Sequence, residues 1–202
     1  RVLSSSGTDT YSAISAAIGS LKGPRHGGAN IKVKHMMDEL LANIKDLTDE
    51  EEIADYLGKI ITKDAGDGSG LIYGFGHAIY TLSDPRAKIL KKNAKKLSAE
   101  KGMTDIYEFY KRVEKLVPSV FENVKGSKKV ICANVDFYSG FVYDMLGIES
   151  DLFTPLFAVS RIAGWCAHRI EEITYGGRII RPAYRSMVKP TSYVPLDERK
   201  AD

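Results

Sequence analysis

Apolar residues return at three- and four-residue intervals along most of this sequence, and that rhythm leaves little room for a sheet. The sets are Ile14, Ala17, Ile18 and Leu21; Val33, Met36, Met37, Leu40, Leu41 and Ile44; Ile53, Tyr56, Leu57, Ile60 and Ile61; and Ile106, Tyr110, Val113 and Val117. Each set falls on one face of a helix. Strand signals are rare and short, so the expected fold class is all-α. Boundary signals agree with the periodicity. Thr48-Asp49-Glu50-Glu51 reads as a capping box ahead of the third set. Asp84 is a good N-cap and Pro85 suits the first helical position, opening a helix from Arg86 to Lys101 with Ile89, Leu90 and Leu97 on one side. Pro118 should end or bend the helix that contains it. Residues 152–165 are apolar nearly all round and read as a buried helix. Arg161 inside it then needs a carboxylate partner, either a protein Asp or Glu or a substrate.

Composition excludes several classes of function. With 44% hydrophobic content, 202 residues can bury one or two cores. A net charge of +3 on 29 basic and 26 acidic residues is near balance and implies no nucleic-acid partner. No apolar run approaches the roughly 20 residues a membrane helix needs, and no signal peptide is visible, so the chain reads as soluble and cytoplasmic. Cys132 and Cys166 are 34 positions apart in apolar surroundings and read as buried free thiols, not as a metal pair or a disulfide. Residues 63–70 form a glycine-rich connector that lacks the Gly-Lys-Ser/Thr of a phosphate loop. The lysines from Lys91 to Lys101 read as a solvated helix face. The end of the chain, from Arg181 through Pro182, Pro190 and Pro195, has no helical period and reads as an extended arm, for which a symmetric partner subunit is a natural support.

Three loops between the helical patterns carry the candidates for chemistry. In Gly74-Phe75-Gly76-His77-Ala78-Ile79-Tyr80 the flanking glycines let the backbone turn tightly and put an imidazole in an exposed loop, four residues ahead of Asp84-Pro85-Arg86. His26 lies in Gly23-Pro24-Arg25-His26-Gly27-Gly28-Ala29-Asn30. Asp136 lies in Asn134-Val135-Asp136-Phe137-Tyr138-Ser139-Gly140. Each has an ordinary reading: the histidines as turn residues, Asp136 as the cap of the next helix. Together, two loop histidines and a loop aspartate suggest acid–base chemistry on a carbonyl compound.

These three segments, in this order, resemble the catalytic half of the citrate synthase family, which includes 2-methylcitrate synthase. Phe157-Ala158-Val159-Ser160-Arg161-Ile162-Ala163-Gly164-Trp165 with Ala167-His168 is a fourth match, and Arg178-Ile179-Ile180-Arg181-Pro182 a fifth. The resemblance implies a small helical domain over residues 36–133 packed against part of a large helical domain supplied by residues 1–35 and 134–202. The active site would lie in the cleft between them. The chain has roughly half the family's length, and its opening resembles the middle of the large domain. The expectation is therefore a C-terminal portion that is inactive in isolation.

By the same resemblance the reaction condenses oxaloacetate with acetyl-CoA to citrate and CoA. Asp136 would be the base that removes the acyl methyl proton, His26 the donor to the thioester oxygen, and His77 the donor to the ketone oxygen of oxaloacetate. Arg86 and Arg161 would grip the substrate carboxylates, joined by Arg181 from the other subunit of a homodimer. Leu71, Gly74, Gly76 and Asn134 match the family's CoA-contacting loops. No metal and no permanent cofactor are implied, and the CoA thioester is a substrate. Two positions depart from the family: Thr81 stands where a basic residue usually meets CoA phosphates, and Ala133 stands where proline usually precedes Asn134. Lys128 and Lys129 are the candidates to replace the missing charge. The alternatives are 2-methylcitrate synthase using propionyl-CoA, a citryl-CoA lyase module, and a non-catalytic metabolite-binding protein of the same fold.

Overall fold

Eight α-helices make up most of the computed structural model, which describes residues 1–23, 26–127, 130–183, 185, 187 and 191–199. They are α1 (Val2–Ser5), α2 (Thr10–Leu21), α3 (Ala29–Asn43), α4 (Glu50–Thr62), α5 (Pro85–Glu100), α6 (Thr104–Lys125), α7 (Val135–Met145) and α8 (Phe153–Tyr175). Short 3-10 turns cover Ser150–Leu152 and Leu196–Glu198. Among the described residues there is no strand, only one isolated antiparallel bridge between Phe75 and Ala133. The chain is all-helical, as its apolar rhythm requires.

Helices α3, α4, α6 and α7 enclose the main core. Val33, Met37 and Leu40 of α3 meet Ile53, Leu57 and Ile61 of α4, Phe109, Val113 and Val117 of α6, and Phe137 and Tyr138 of α7, all essentially without exposed surface. Burying each such side chain contributes roughly 1.5–3 kcal/mol, so this cluster dominates the stability of the unit. The cluster runs from Val33 to Met145, past the expected domain boundaries at 36 and 133. On α7, Phe137 lies 5.4 Å from Tyr110 and Phe141 stacks on it at 4.7 Å. Helix α5 lies along α7 and buries Ala87, Ala94 and Ser98.

Helices α1, α2 and α8 form a second layer. Arg169 of α8 ties it to the chain start, its guanidinium donating to Thr10 Oγ1 (2.9 Å), Thr8 O (2.9 Å) and Ser4 Oγ (3.2 Å). Arg1 reaches back to Glu171 and to the buried Glu172. The connection to the main core is at the start of α8, where fully buried Phe153 sits 5.0 Å from Tyr143.

The structure corrects several expectations. The cap of α4 is Asp49, which accepts from the amides of Glu51 and Glu52, so Thr48 lies one residue outside. Glu52 instead reaches back to the amides of Lys45 and Asp46. Helix α6 continues through Pro118 for seven more residues to Lys125, held by the burial of Val113, Val117 and Val120 on one face. On α5 the buried side is the alanine side, and Ile89 is 63% exposed. The larger difference is α8, which is an outer helix. Only Phe153 and Glu172 are buried, while Val159, Ile170 and Ile173 lie open, because α1, α2 and the start of α3 cover one side alone. Cys132 and Cys166 are unpaired, as expected, but half-buried rather than buried.

Gly74 and Gly76 shape the loop that carries His77, and both have φ near +83°. A Cβ on Gly74 would stand 2.9 Å from Phe137 Cβ and from Val33 Cγ2, whereas a Cβ on Gly76 would meet nothing. Gly76→Ala should therefore cost only backbone strain, about 1–2 kcal/mol. Gly74→Ala adds overpacking, roughly 1–3 kcal/mol more. Urea unfolding midpoints of the two variants test this, and equal midpoints would show that the contact with Phe137 is soft.

Candidate active site

A two-rung backbone clamp fixes the His77 loop to the start of α7. The Gly76 amide donates to Cys132 O (2.9 Å) and the Asn134 amide to Gly74 O (2.8 Å). Asn134 adds its side chain: Nδ2 donates to Gly76 O (3.1 Å), while Oδ1 accepts from the Asp136 amide (3.0 Å) and so caps α7. Below the loop, Phe75 packs edge-on against Phe137 at 4.8 Å. The cap of α7 is thus Asn134, and Asp136 sits in the first turn with its carboxylate making no hydrogen bond to any described residue. The ordinary reading of Asp136 as a cap does not hold.

His77 is set by its own loop. Its Nδ1 accepts from the amides of Ile79 (3.0 Å) and Tyr80 (3.2 Å). Neutral His77 therefore carries its proton on Nε2, a donor 3.4 Å from Arg86 Nη2. Two donors this close do not satisfy each other, and between them they favour a shared acceptor. Arg86 is held by Asp84, whose side chain has no exposed surface and which accepts from Arg86 Nε (3.0 Å) and Nη2 (2.8 Å). The ring of Tyr80 backs both groups, 4.8 Å from His77 and 5.5 Å from the Arg86 guanidinium.

The opposite wall comes from the second layer. His26 is exposed, in a turn closed by its amide on Gly23 O (2.9 Å). Thr154 at the start of α8 donates to Gly27 O (2.7 Å) and pins that turn. Phe157, one turn along α8, meets the His26 ring edge-on at 6.3 Å and carries the Arg161 guanidinium over its face at 4.9 Å. Among the described residues Arg161 has no carboxylate partner. Of the two partners expected for it, the protein acid is thus not found.

Between these walls lies a cleft of about 150 Å³ lined by His26, Gly27, His77, Arg86, Asn134, Val135, Asp136, Phe157 and Arg161. Burial raises the proton affinity of Asp136 above the ordinary carboxylate range; Arg86, His26 and His77 pull it down and Asp84 pushes it up, and burial wins. The start of α7 also favours the ionised form, so the carboxylate is raised in spite of the helix end. Burial alone would raise Asp84 too, but its bonds to Arg86 and Val135 hold it below the usual range.

The structure brings six of the ten expected site residues to this cleft: His26, His77, Asp136, Arg86, Arg161 and Asn134. Gly74 and Gly76 stand behind it as the clamp. Leu71 is 57% exposed and lines a separate pocket of about 150 Å³ with Lys32, His35, Glu39, Asp67 and Tyr73. Arg181 is exposed on the segment after α8, where the Ile180 amide donates to Ser5 Oγ (2.9 Å), and it does not line the cleft. Lys128 and Lys129, the candidates for the missing CoA charge, lie outside the described residues. Two residues of the site carried no functional reading in the sequence. Asp84 was legible only as a cap, and Phe157 only as an apolar helix residue within a matching motif, with no role of its own.

The family model for the citrate synthase C-terminal domain matches residues 1–183, so this chain belongs to the citrate synthase family. It is 40% identical to the citrate synthase of Synechocystis sp. over 98% of this chain and 46% of that protein. It is 39% identical to 2-methylcitrate synthase 1 of Corynebacterium glutamicum, over 98% of this chain and 47% of that one. Among solved structures it resembles the Thermoplasma acidophilum citrate synthase in ternary complex with carboxymethyl coenzyme A and oxaloacetate; the TM-score is 0.72 at 36% identity, over 98% of this chain and 49% of that one. The chain spans about half the length of the curated relatives it matches.

Because burial raises Asp136, its protonated form is the one folding favours. The stability that protonation contributes is fully present below the ordinary aspartate value of about 4 and is lost as pH rises through the raised value. Asp136→Asn, which cannot ionise, should then melt higher than the parent at neutral pH, and the gap should close on acidification. Melting temperatures across that range test this; a gap independent of pH would mean the carboxylate is not penalised.

Proposed function

We propose that this chain is the catalytic half of a Si-type citrate synthase, joining oxaloacetate to the methyl carbon of acetyl-CoA and releasing citrate and CoA. The observation that carries the reading is the cleft itself. It gathers two histidines, two arginines and a carboxylate that accepts no hydrogen bond from the described residues. Arg86 and Arg161 hold the dicarboxylate, since a planar fork donates two parallel bonds to a carboxylate. His77 Nε2–H donates to the ketone oxygen and stabilises the alkoxide that forms there. Asp136 takes the proton from the acyl methyl group while His26 donates to the thioester oxygen. The resulting carbon nucleophile attacks the ketone carbon, and water then cleaves the thioester. The raised proton affinity of Asp136 suits a base.

The rest of the reading concerns assembly. The active protein is a cytoplasmic homodimer in which Arg181 serves the neighbouring cleft, which fits its exposure away from its own. Residues 36–133 act as the small domain, with 1–35 and 134–202 belonging to the large one. Leu71, Gly74, Gly76 and Asn134 lie along the path of CoA. A second reading, 2-methylcitrate synthase, is favoured by the similar likeness to a relative of that name. One extra methylene in a pocket is worth only about 1–3 kcal/mol, so the choice of acyl group is a matter of degree. A binder without turnover has no use for a half-buried carboxylate that is unpaired among the described residues.

The deciding experiment uses this chain alone and fused behind the portion of the Synechocystis relative that it does not span, assayed for CoA release from acetyl-CoA and propionyl-CoA with oxaloacetate. The chain alone should turn over little, because its cleft holds two of the three expected arginines. In the fusion, Asp136→Asn should keep oxaloacetate binding and lose methyl-proton exchange with deuterated solvent by about 10²–10⁴-fold. Exchange at the parent rate would remove Asp136 from the role of base. Arg181→Ala and Arg86→Ala fusions, each inactive, should regain activity when mixed. No recovery in demonstrated heterodimers would refute the shared site.

A further inference from the structure

We propose that Asp84 is a positioning residue of the reaction, holding the Arg86 guanidinium beside His77 and joining the helix of the arginine to the helix of Asp136. The inference rests on the proposed reaction for its catalytic meaning, while the arrangement itself stands on geometry alone.

Asp84 does more than a helix cap requires. Its Oδ1 accepts from the Arg86 amide (2.9 Å) and Nε (3.0 Å), and its Oδ2 from Arg86 Nη2 (2.8 Å) and the Val135 amide (3.2 Å). The first amide bond caps α5. The second satisfies the first residue of α7, so one carboxylate stands at the start of both helices. Serine, threonine or asparagine would cap α5 as well as aspartate. None of them offers two acceptor oxygens to the Nε and Nη2 of a guanidinium, so the carboxylate is demanded by Arg86.

The fork has two consequences in the cleft. It takes the Nε edge of Arg86 and leaves Nη1 and the second Nη2 hydrogen for a substrate, next to the His77 Nε2 donor at 3.4 Å. It also offsets the arginine's charge close to Asp136. The groups facing Asp136 are Arg86 and Asp84 from the start of α5, His26 and His77 from their loops, Arg161 from α8 and Tyr143 on its own helix. Asp84 is the one acid in that set besides Asp136 itself. Without it Arg86 would act on Asp136 unopposed and make it a weaker base.

Asp84→Asn in the 202-residue chain is the test, because the amide oxygen in place of Oδ1 still caps α5 and accepts from Arg86 Nε, while the NH₂ in place of Oδ2 can accept neither from Arg86 Nη2 nor from the Val135 amide. Nitrogen NMR should find the Val135 amide and the Asp84-bonded Arg86 Nη2–H slow to exchange with solvent in the parent and fast in the variant. Carbon NMR should find Asp136 titrating at lower pH in the variant, which loss of packing at Asp84 would not cause. Oxaloacetate affinity should fall about 10- to 100-fold, the range for a charge-assisted hydrogen bond. Unchanged exchange and unchanged Asp136 titration in a folded variant would overturn the proposal. If the variant does not fold, the parent decides: a freely exchanging Val135 amide and Arg86 Nη2–H there overturn it. The affinity is read in the fusion, where a parent that fails to bind oxaloacetate would sink the proposed reaction while leaving both NMR measurements on the 202-residue chain to judge Asp84.

Discussion

Gly74 O and Cys132 O each accept one amide hydrogen, and these two bonds connect a loop with no regular structure of its own to the only helix that carries the candidate base. Everything on one wall of the cleft hangs from that clamp. His77 is oriented by amides two and three residues further along the same loop, and Arg86 starts the helix that the loop leads into. Asn134 joins the clamp to the cap of α7, so loop position and helix start are set together. The aromatic packing of Phe75 on Phe137 seats the arrangement on the core. Buried apolar contact supplies the stability, and a handful of directional bonds supplies the geometry.

The other wall is attached more lightly. His26 and Arg161 belong to the layer of α1, α2 and α8, which meets the main core chiefly at Phe153 and through the Thr154 bond to Gly27. Phe157 bridges the two groups on that side by touching both rings of charge and imidazole. Polar residues on one wall thus rely on hydrogen bonds to fixed backbone and to Asp84, and those on the other rely on an aromatic platform.

Much of this was legible in the sequence because local chemistry decides it. Glycines around His77, proline after Asp84 and asparagine before Asp136 each act within a few residues, and the corresponding turns and helix starts appear where those residues stand. The helical class followed from spacing alone. What stayed hidden depends on neighbours distant in sequence. Whether Asp84 merely caps or also holds an arginine turns on α7 arriving beside α5, and Val135 is 51 positions away. Asn134 rather than Asp136 caps α7, a choice between two competent residues that only the backbone angle settles. Helix α8 was misjudged for a related reason: an apolar surface announces that something should cover it, and periodicity cannot say whether this chain provides the cover.

That uncovered surface also governs how the chain behaves as a colloid. Val159, Ile162, Ile170 and Ile173 of α8 lie open, with Val2 and Leu3 of α1 exposed in the same layer. Apolar surface on this scale is sticky. Salts excluded from protein surfaces, such as sulfate, strengthen the tendency of such faces to meet, whereas urea weakens it. Self-association of this kind grows with concentration and needs no unfolding, so a fully native sample of this chain can still cloud.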